Sequence, residues 1–152
     1  MKKTENILGR LIGVTWRSMR KQLAQNISHT EYDISAEQGI IIAMLSHYEK
    51  VNQQMLTEFL QCEKTAITRW VDYLESMQLL NRVADKKDRR QNILILTPKG
   101  IQFASEFIEI GLLTETQALQ GINKEDAKIC KAVLKQIIKN LEITKEHRGN
   151  HE

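Results

Sequence analysis

The stretch LLNRVADKKDRRQNILILTPKG, residues 79–100, constrains the fold of this chain more than any other. Two short apolar runs, Leu79 to Ala84 and Ile93 to Leu96, flank a charged tip that holds Asp85, Lys86, Lys87, Asp88, Arg89 and Arg90. Paired runs of this length around a polar tip predict a β-hairpin with a basic end. Such an end has the shape and charge to reach a phosphate backbone or a narrow groove. A charged tip also keeps an exposed sheet edge soluble, and that role accounts for the lysines. It accounts less well for Asp88 and Arg90 two residues apart, where one carboxylate can orient one guanidinium.

The rest of the chain reads as helix. One proline and seven glycines leave few breakers. Apolar residues at Ile7, Leu8, Leu11, Ile12, Val14, Met19 and Leu23 form a helical stripe over about residues 4–25. Ser35, with Gln38 three positions on, has capping-box spacing and opens a second helix that ends near Glu49. Asn52 caps a short third helix expected to bury Met55, Leu56, Phe59 and Leu60. After a turn at Gln61 to Glu63, a fourth helix runs to about Met77 with Ile67, Val71 and Leu74 inward. Thr97 as N-cap and Pro98 at the first helical position start a fifth helix, about residues 98–120. Ala104, Phe107, Ile108 and Leu112 are expected on one side of it. Gly121 to Asn123 breaks the chain before a last helix over about residues 123–144.

The fold class is therefore mostly α with a small β-wing. A winged helix-turn-helix core, with its helix-turn-helix at about residues 53–77 and its wing at about 79–97, is joined to terminal helices in one domain spanning 1–152. On the second helix of the pair, Lys64, Thr65, Thr68 and Arg69 face away from the buried side. Short hydroxyl side chains allow close approach to a groove, and an arginine can grip guanine or phosphate with two hydrogen bonds. A solvated face of an ordinary helical bundle has the same pattern. The basic hairpin directly downstream favours duplex DNA.

The residues ITRWVDYLESMQLLNRV, followed by DKKDRRQNILILTPKG, resemble the MarR family of transcriptional regulators. Thr68, Arg69, Val71, Asp72, Leu74 and Glu75 match its recognition-helix pattern. Asp88, Arg89, Arg90, Leu96, Thr97 and Gly100 match its wing. The resemblance implies a homodimer held by the first helix and the last two, reading an inverted-repeat operator in double-stranded DNA. It implies that Lys64, Thr65, Thr68 and Arg69 face the major groove. The wing residues Lys86, Lys87, Asp88, Arg89 and Arg90 belong to the minor groove, with Arg90 inserted and Asp88 orienting it. It also implies a repressor whose DNA affinity responds to a small aromatic or anionic effector. The chain departs from the family at Gln61 and Gln78, where glycine is common, and at Lys86, where proline is common.

Independent of that resemblance, the first and last helices carry apolar stripes too broad for a small winged core to cover. Cys62 and Cys130 do not make a disulfide framework and are expected to pack as small hydrophobes. Trp16 can line an effector pocket or pack at the dimer interface, and its bulk apolar area favours the second. His147 and His151 have helix-face spacing but lie in a polar tail, so no metal is expected, and no cofactor. No apolar run approaches the roughly 20 residues that span a bilayer, so no membrane partner is expected and the cytoplasm is the default. The sequence has no glycine-rich phosphate loop and no nucleophile grouping at interpretable spacing, so it is not read as an enzyme. The competing class is a winged-helix module for protein–protein assembly, which predicts an uncharged or acidic wing tip.

Overall fold

The computed structural model describes residues 7–85 and 91–146, without the side chains of 142–146. In chain order the elements are α1 (Leu8–Ile27), α2 (Ala36–His47), α3 (Gln53–Leu60), α4 (Lys64–Ser76), β1 (Leu80–Ala84), β2 (Asn92–Leu96), α5 (Pro98–Ala118) and α6 (Lys124–Glu146). The expected class, mostly helical with one small antiparallel wing, is what the chain adopts. Two compact units divide it, Met1–Glu115 and Thr116–Glu152.

Local chemistry sets most helix starts. Ser35 Oγ accepts from the Gln38 amide at 3.2 Å, and Gln38 Oε1 accepts from the Ser35 amide at 2.7 Å, completing the capping box of α2. Asn52 Oδ1 accepts from the Met55 amide at the start of α3. Thr97 Oγ1 accepts from the Gly100 amide at 3.0 Å and donates to the Gln78 carbonyl, which ties the start of α5 to the end of α4. In the second unit Asn123 Oδ1 accepts from the Asp126 amide and starts α6, just after Gly121 turns the chain at φ +79°.

Ile67, Val71 and Leu74 line the inner side of α4 and are fully buried with Ile41 and Ile42 of α2, Leu56 of α3 and Phe103 of α5. Each such side chain contributes on the order of 1.5–3 kcal/mol by leaving water. Gly39 of α2 sits directly under the Phe107 ring, where a Cβ would overlap it. Tyr32 packs edge-on against Phe103, with ring centroids 4.3 Å apart. Burial first, then the charge and hydrogen bond of Glu106, hold its hydroxyl above the ordinary tyrosine range.

The wing pairs Leu80 with Leu96 through Ala84 with Asn92. A third edge joins it: the Leu94 amide donates to the Val51 carbonyl at 2.8 Å, and Val51 is fully buried. That single bridge is not readable from the sequence, because Val51 stands alone between polar residues.

The structure corrects two expectations, on α3 and on Cys130. Of the α3 residues expected inside, Leu56 is buried and Leu60 is half-buried against the core, but Met55 is exposed and Phe59 is 58% exposed, since eight residues turn only one narrow stripe inward. Ile108 and Leu112 of α5 are exposed, while Ala104 and Phe107 are buried, so the helix rotates its apolar surface away from the winged core along its length. Cys130 is exposed on α6 rather than packed, as are Ile129, Val133, Leu134, Ile138 and Leu141 around it. The first helix, expected at about residues 4–25, is described from Leu8 to Ile27, and residues 4–6 lie outside the described residues.

Both departures from glycine have a backbone consequence. Gln61 (φ 52°) and Gln78 (φ 60°) are left-handed. Gln78 closes α4 in a Schellman arrangement: its amide donates to Glu75 O, and the Leu79 amide donates to Leu74 O at 3.0 Å. A left-handed L-residue costs roughly 1–2 kcal/mol, and glycine's greater freedom when unfolded returns about 0.5–1. Gln78→Gly is therefore expected to raise the unfolding free energy by about 0.5–1 kcal/mol. A urea titration would read this as a higher midpoint at unchanged slope, and a lower midpoint would contradict it.

Candidate nucleic-acid interface

The turn between α3 and α4 and the burial of Ile67, Val71 and Leu74 fix which side of α4 faces out. Lys64, Thr65 and Arg69 are exposed there and Thr68 is half-buried. With Asp72 they line a shallow concavity of about 440 Å³. The four recognition-helix residues thus lie on one outward face.

Thr68 also has a task inside the motif. Its hydroxyl donates to the Lys64 carbonyl at 3.0 Å and accepts from Gln53 Nε2 at 3.2 Å, which ties the first turn of α3 to α4. One lone pair of that hydroxyl is left for a ligand.

Arg82 of β1 organises the rest. Its Nη2 donates to Asp72 Oδ1 at 2.5 Å, its Nη1 pairs with Glu75 Oε2, and its backbone amide donates to Glu75 Oε1 at 3.1 Å. The two carboxylates of α4 are therefore engaged by the wing strand. Asp72 would otherwise sit one turn from Arg69 with an unmatched negative charge, opposing a phosphate partner. Sequence reading quoted Asp72 and Glu75 as pattern residues but missed Arg82, because its partners are ten and seven positions away.

At the root of the wing, the Asp85 amide donates to Gln91 O at 2.9 Å. Lys50 Nζ lies 3.5 Å from Asp85 Oδ1, and Asn52 Nδ2 donates to Gln91 Oε1 at 3.4 Å. Asn52, Gln53, Gln54, Lys64, Gln91 and Asn92 line a polar concavity of about 590 Å³ between the wing root and α3–α4. Sequence reasoning names Asn52 only as a helix cap and not the other amides, although the run Asn52, Gln53, Gln54 is the available signal. The wing candidates Lys86, Lys87, Asp88, Arg89 and Arg90 lie outside the described residues.

A second cavity, of about 610 Å³, lies among α1, α2, α3 and α5 in the first unit. Trp16, Met19, Leu23, Ile40, Phe59 and Leu60 make it apolar, with Arg20, Gln61 and Thr114 as its polar lining. Trp16 is half-exposed along this cavity rather than packed within the chain. Thr114 is buried; its hydroxyl accepts from Asn26 Nδ2 at 2.9 Å and donates to Ile110 O. Cys62 is half-buried against the core, as expected, with its thiol 3.2 Å from the Leu60 carbonyl.

Among the described residues no group of three or more His, Cys, Asp or Glu side chains is placed to hold a metal. His147 and His151 lie outside the described residues. No described helix is long and apolar enough to cross a membrane.

Residues 34–91 match the model of the MarR family. The transcriptional regulator PA3341 is 28% identical, with a TM-score of 0.76 over 90% of this chain and 98% of that one. A mutant MarR from E. coli complexed with operator DNA is 21% identical, with a TM-score of 0.72 over 86% and 92%. BpsR of Bordetella bronchiseptica, whose DNA binding is regulated by 6-hydroxynicotinic acid, is 16% identical, with a TM-score of 0.74 over 88% and 94%. The comparison with curated proteins gives no match. The fold is that of the MarR winged-helix structures.

Proposed function

We propose that this chain, whose residues 34–91 match the MarR-family model, is a MarR-family protein and a dimeric, sequence-specific DNA-binding transcriptional regulator. The observation that carries this reading is the outward face of α4. Lys64, Thr65, Thr68 and Arg69 lie together there, and the neighbouring carboxylate Asp72 is engaged by Arg82, which it shares with Glu75. That face enters the major groove. In this reading Lys86, Lys87, Arg89 and Arg90 meet the adjacent minor groove, whose negative potential attracts arginine, and Asp88 orients Arg90, as the family resemblance implies.

The exposed apolar stripes of α1, α5 and α6 support a homodimer. Leu8, Leu11, Ile108, Leu112, Val133 and Ile138 are all open to water in the single chain. Covering such stripes with a second copy removes a large apolar surface. A two-fold dimer reads an inverted repeat with half-sites about 34 Å apart. The chain then acts as one MarR-type domain over 1–152, with α1, α5 and α6 as dimerisation helices, in the cytoplasm and without catalysis. Occupying an operator is enough to repress, and the cavity beside Trp16 accepts the small effector that tunes DNA affinity.

Fluorescence anisotropy on the DNA upstream of the protein's own gene, against scrambled DNA at two salt concentrations, tests the reading. The expected result is tighter binding to the upstream duplex, falling steeply with salt and at least about tenfold weaker in Arg90→Ala. Weak binding to both duplexes that ignores salt would point instead to a protein–protein module.

A further inference from the structure

The run KEDAKICKAVLK at the start of α6 places Lys124, Lys128, Lys131 and Lys135 on one narrow side of the helix, within about 60° of one another. All four are exposed. They line a shallow groove of about 500 Å³ in the second unit, and Leu119 with the small side chains of Ala127 and Ala132 completes its lining.

This arrangement works against the helix that carries it. Each successive pair of lysines is a like-charge pair at i, i+4 or i, i+3, which destabilises a helix. Lys124 and Lys128 also lie at the N-terminal end of α6, where the helix dipole disfavours cations. Among the described residues no carboxylate lies within ion-pair distance of Lys124, Lys128 or Lys135. The acidic residues of the first turn, Glu125 and Asp126, lie off the stripe, and Asp126 is held by Asn123 through two hydrogen bonds. A local rule broken repeatedly along one face, without compensation inside the chain, marks a face that is compensated from outside.

We propose that this side of α6 is a second nucleic-acid site, which grips the phosphate backbone without regard to sequence and is separate from the reading face of α4. It goes beyond DNA reading by α4 and the wing and does not depend on it. The choice of occupant follows from the shape of the charge. The four ammonium groups are spread along about 16 Å of helix, a length in which one strand of a duplex passes about five phosphates. A compact anion would meet one or two lysines and leave the others repelling each other. The small alanines between the lysines let a backbone approach closely. A bilayer would instead engage the apolar side of α6, where Val133 and Leu141 are exposed. A second copy covers that side in the proposed dimer, whereas the lysine side stays open.

The test uses the full chain carrying Lys64→Ala, Arg69→Ala and Arg90→Ala, which strips cations from the proposed reading face. Fluorescence anisotropy follows its binding to a labelled scrambled duplex of about 30 base pairs, long enough to cover the stripe. Affinity is expected to fall roughly tenfold to fortyfold between about 50 and 200 mM salt, as two or three phosphate contacts require. Adding Lys124→Gln, Lys128→Gln and Lys135→Gln is expected to weaken the low-salt binding at least about tenfold, while arginine at the same three positions keeps it within about threefold. The glutamine variant should unfold at a urea midpoint no lower than that of its parent, because it removes like-charge pairs. Absence of salt-dependent binding by the parent overturns the proposal, as does binding that the glutamines leave unchanged. A lowered urea midpoint, or a glutamine variant that sediments as a monomer, overturns it by placing the lysines in the fold or between copies. Lysine-dependent binding to phosphatidylserine–phosphatidylcholine vesicles, with none to the duplex, overturns it in favour of a membrane surface. Wild-type chain without preference for the upstream duplex would remove the proposed function and leave this site standing.

Discussion

Gly100→Ala is expected to lower the unfolding free energy by about 3 kcal/mol, the upper end of what overpacking usually costs. A Cβ at this position would overlap the carbonyl oxygen of Leu79, which is backbone and has no rotamer to yield. Neither side is free to move. Leu79 is fully buried, its amide closes the end of α4 on Leu74, and its carbonyl accepts from the Thr97 amide at 3.1 Å. Gly100 is held in turn by its own amide on Thr97 Oγ1. The glycine of the Leu-Thr-x-x-Gly run is thus a contact requirement, since the first turn of α5 crosses the entry to β1 with no room for a side chain. Gly111→Ala in the same helix is the matched control and should stabilise by up to about 1 kcal/mol. Urea unfolding of the two variants separates them; a Gly100→Ala midpoint equal to wild type would refute the close-packing argument.

Arg69→Ala is expected to weaken binding to the specific duplex by roughly 10²- to 10⁴-fold. A two-pronged arginine contact to a base is worth about 1–3 kcal/mol of discrimination, and a two-fold dimer loses it twice. The loss should be much smaller on scrambled DNA, because a base contact contributes little there. If Arg69 holds only phosphate, affinity instead falls equally on both duplexes and the salt dependence becomes shallower by about one charge per contact. Anisotropy titrations of both duplexes at several salt concentrations distinguish these outcomes, and an affinity unchanged on the specific duplex would remove Arg69 from the interface.

Much of the winged core was legible because its signals are local. Ser35 with Gln38, Asn52, and Thr97 with Pro98 announce helix starts within three residues of themselves, and all of these starts are found. Ile67, Val71 and Leu74 repeat at helical spacing and are all buried. What failed depends on long-range packing. Periodicity marks Met55, Phe59, Ile108 and Leu112 as apolar but does not say whether anything covers them, and in the single chain nothing does. The α4 carboxylates were read as pattern, while their partner Arg82 comes from a different element and has no signature of its own. Gln61 and Gln78 were recognised as replacing glycine, and both take the left-handed backbone that glycine would favour. Cys130 is expected to pack because it lies on an apolar stripe, yet a stripe does not supply its own cover, and the residue is exposed.

Under the proposed function, in which α4 and the wing enter adjacent grooves, the Arg82 grip on Asp72 and Glu75 has a mechanical meaning. It makes the root of the wing and the recognition helix a caliper with its jaws set before DNA arrives, so little ordering is left to be done on contact. A caliper measures width. Duplexes that match the jaws bind undistorted, whereas those that do not must bend or narrow a groove to fit, at an energy set by their own stiffness. Base pairs that no side chain touches thereby enter the recognition, through how readily they deform.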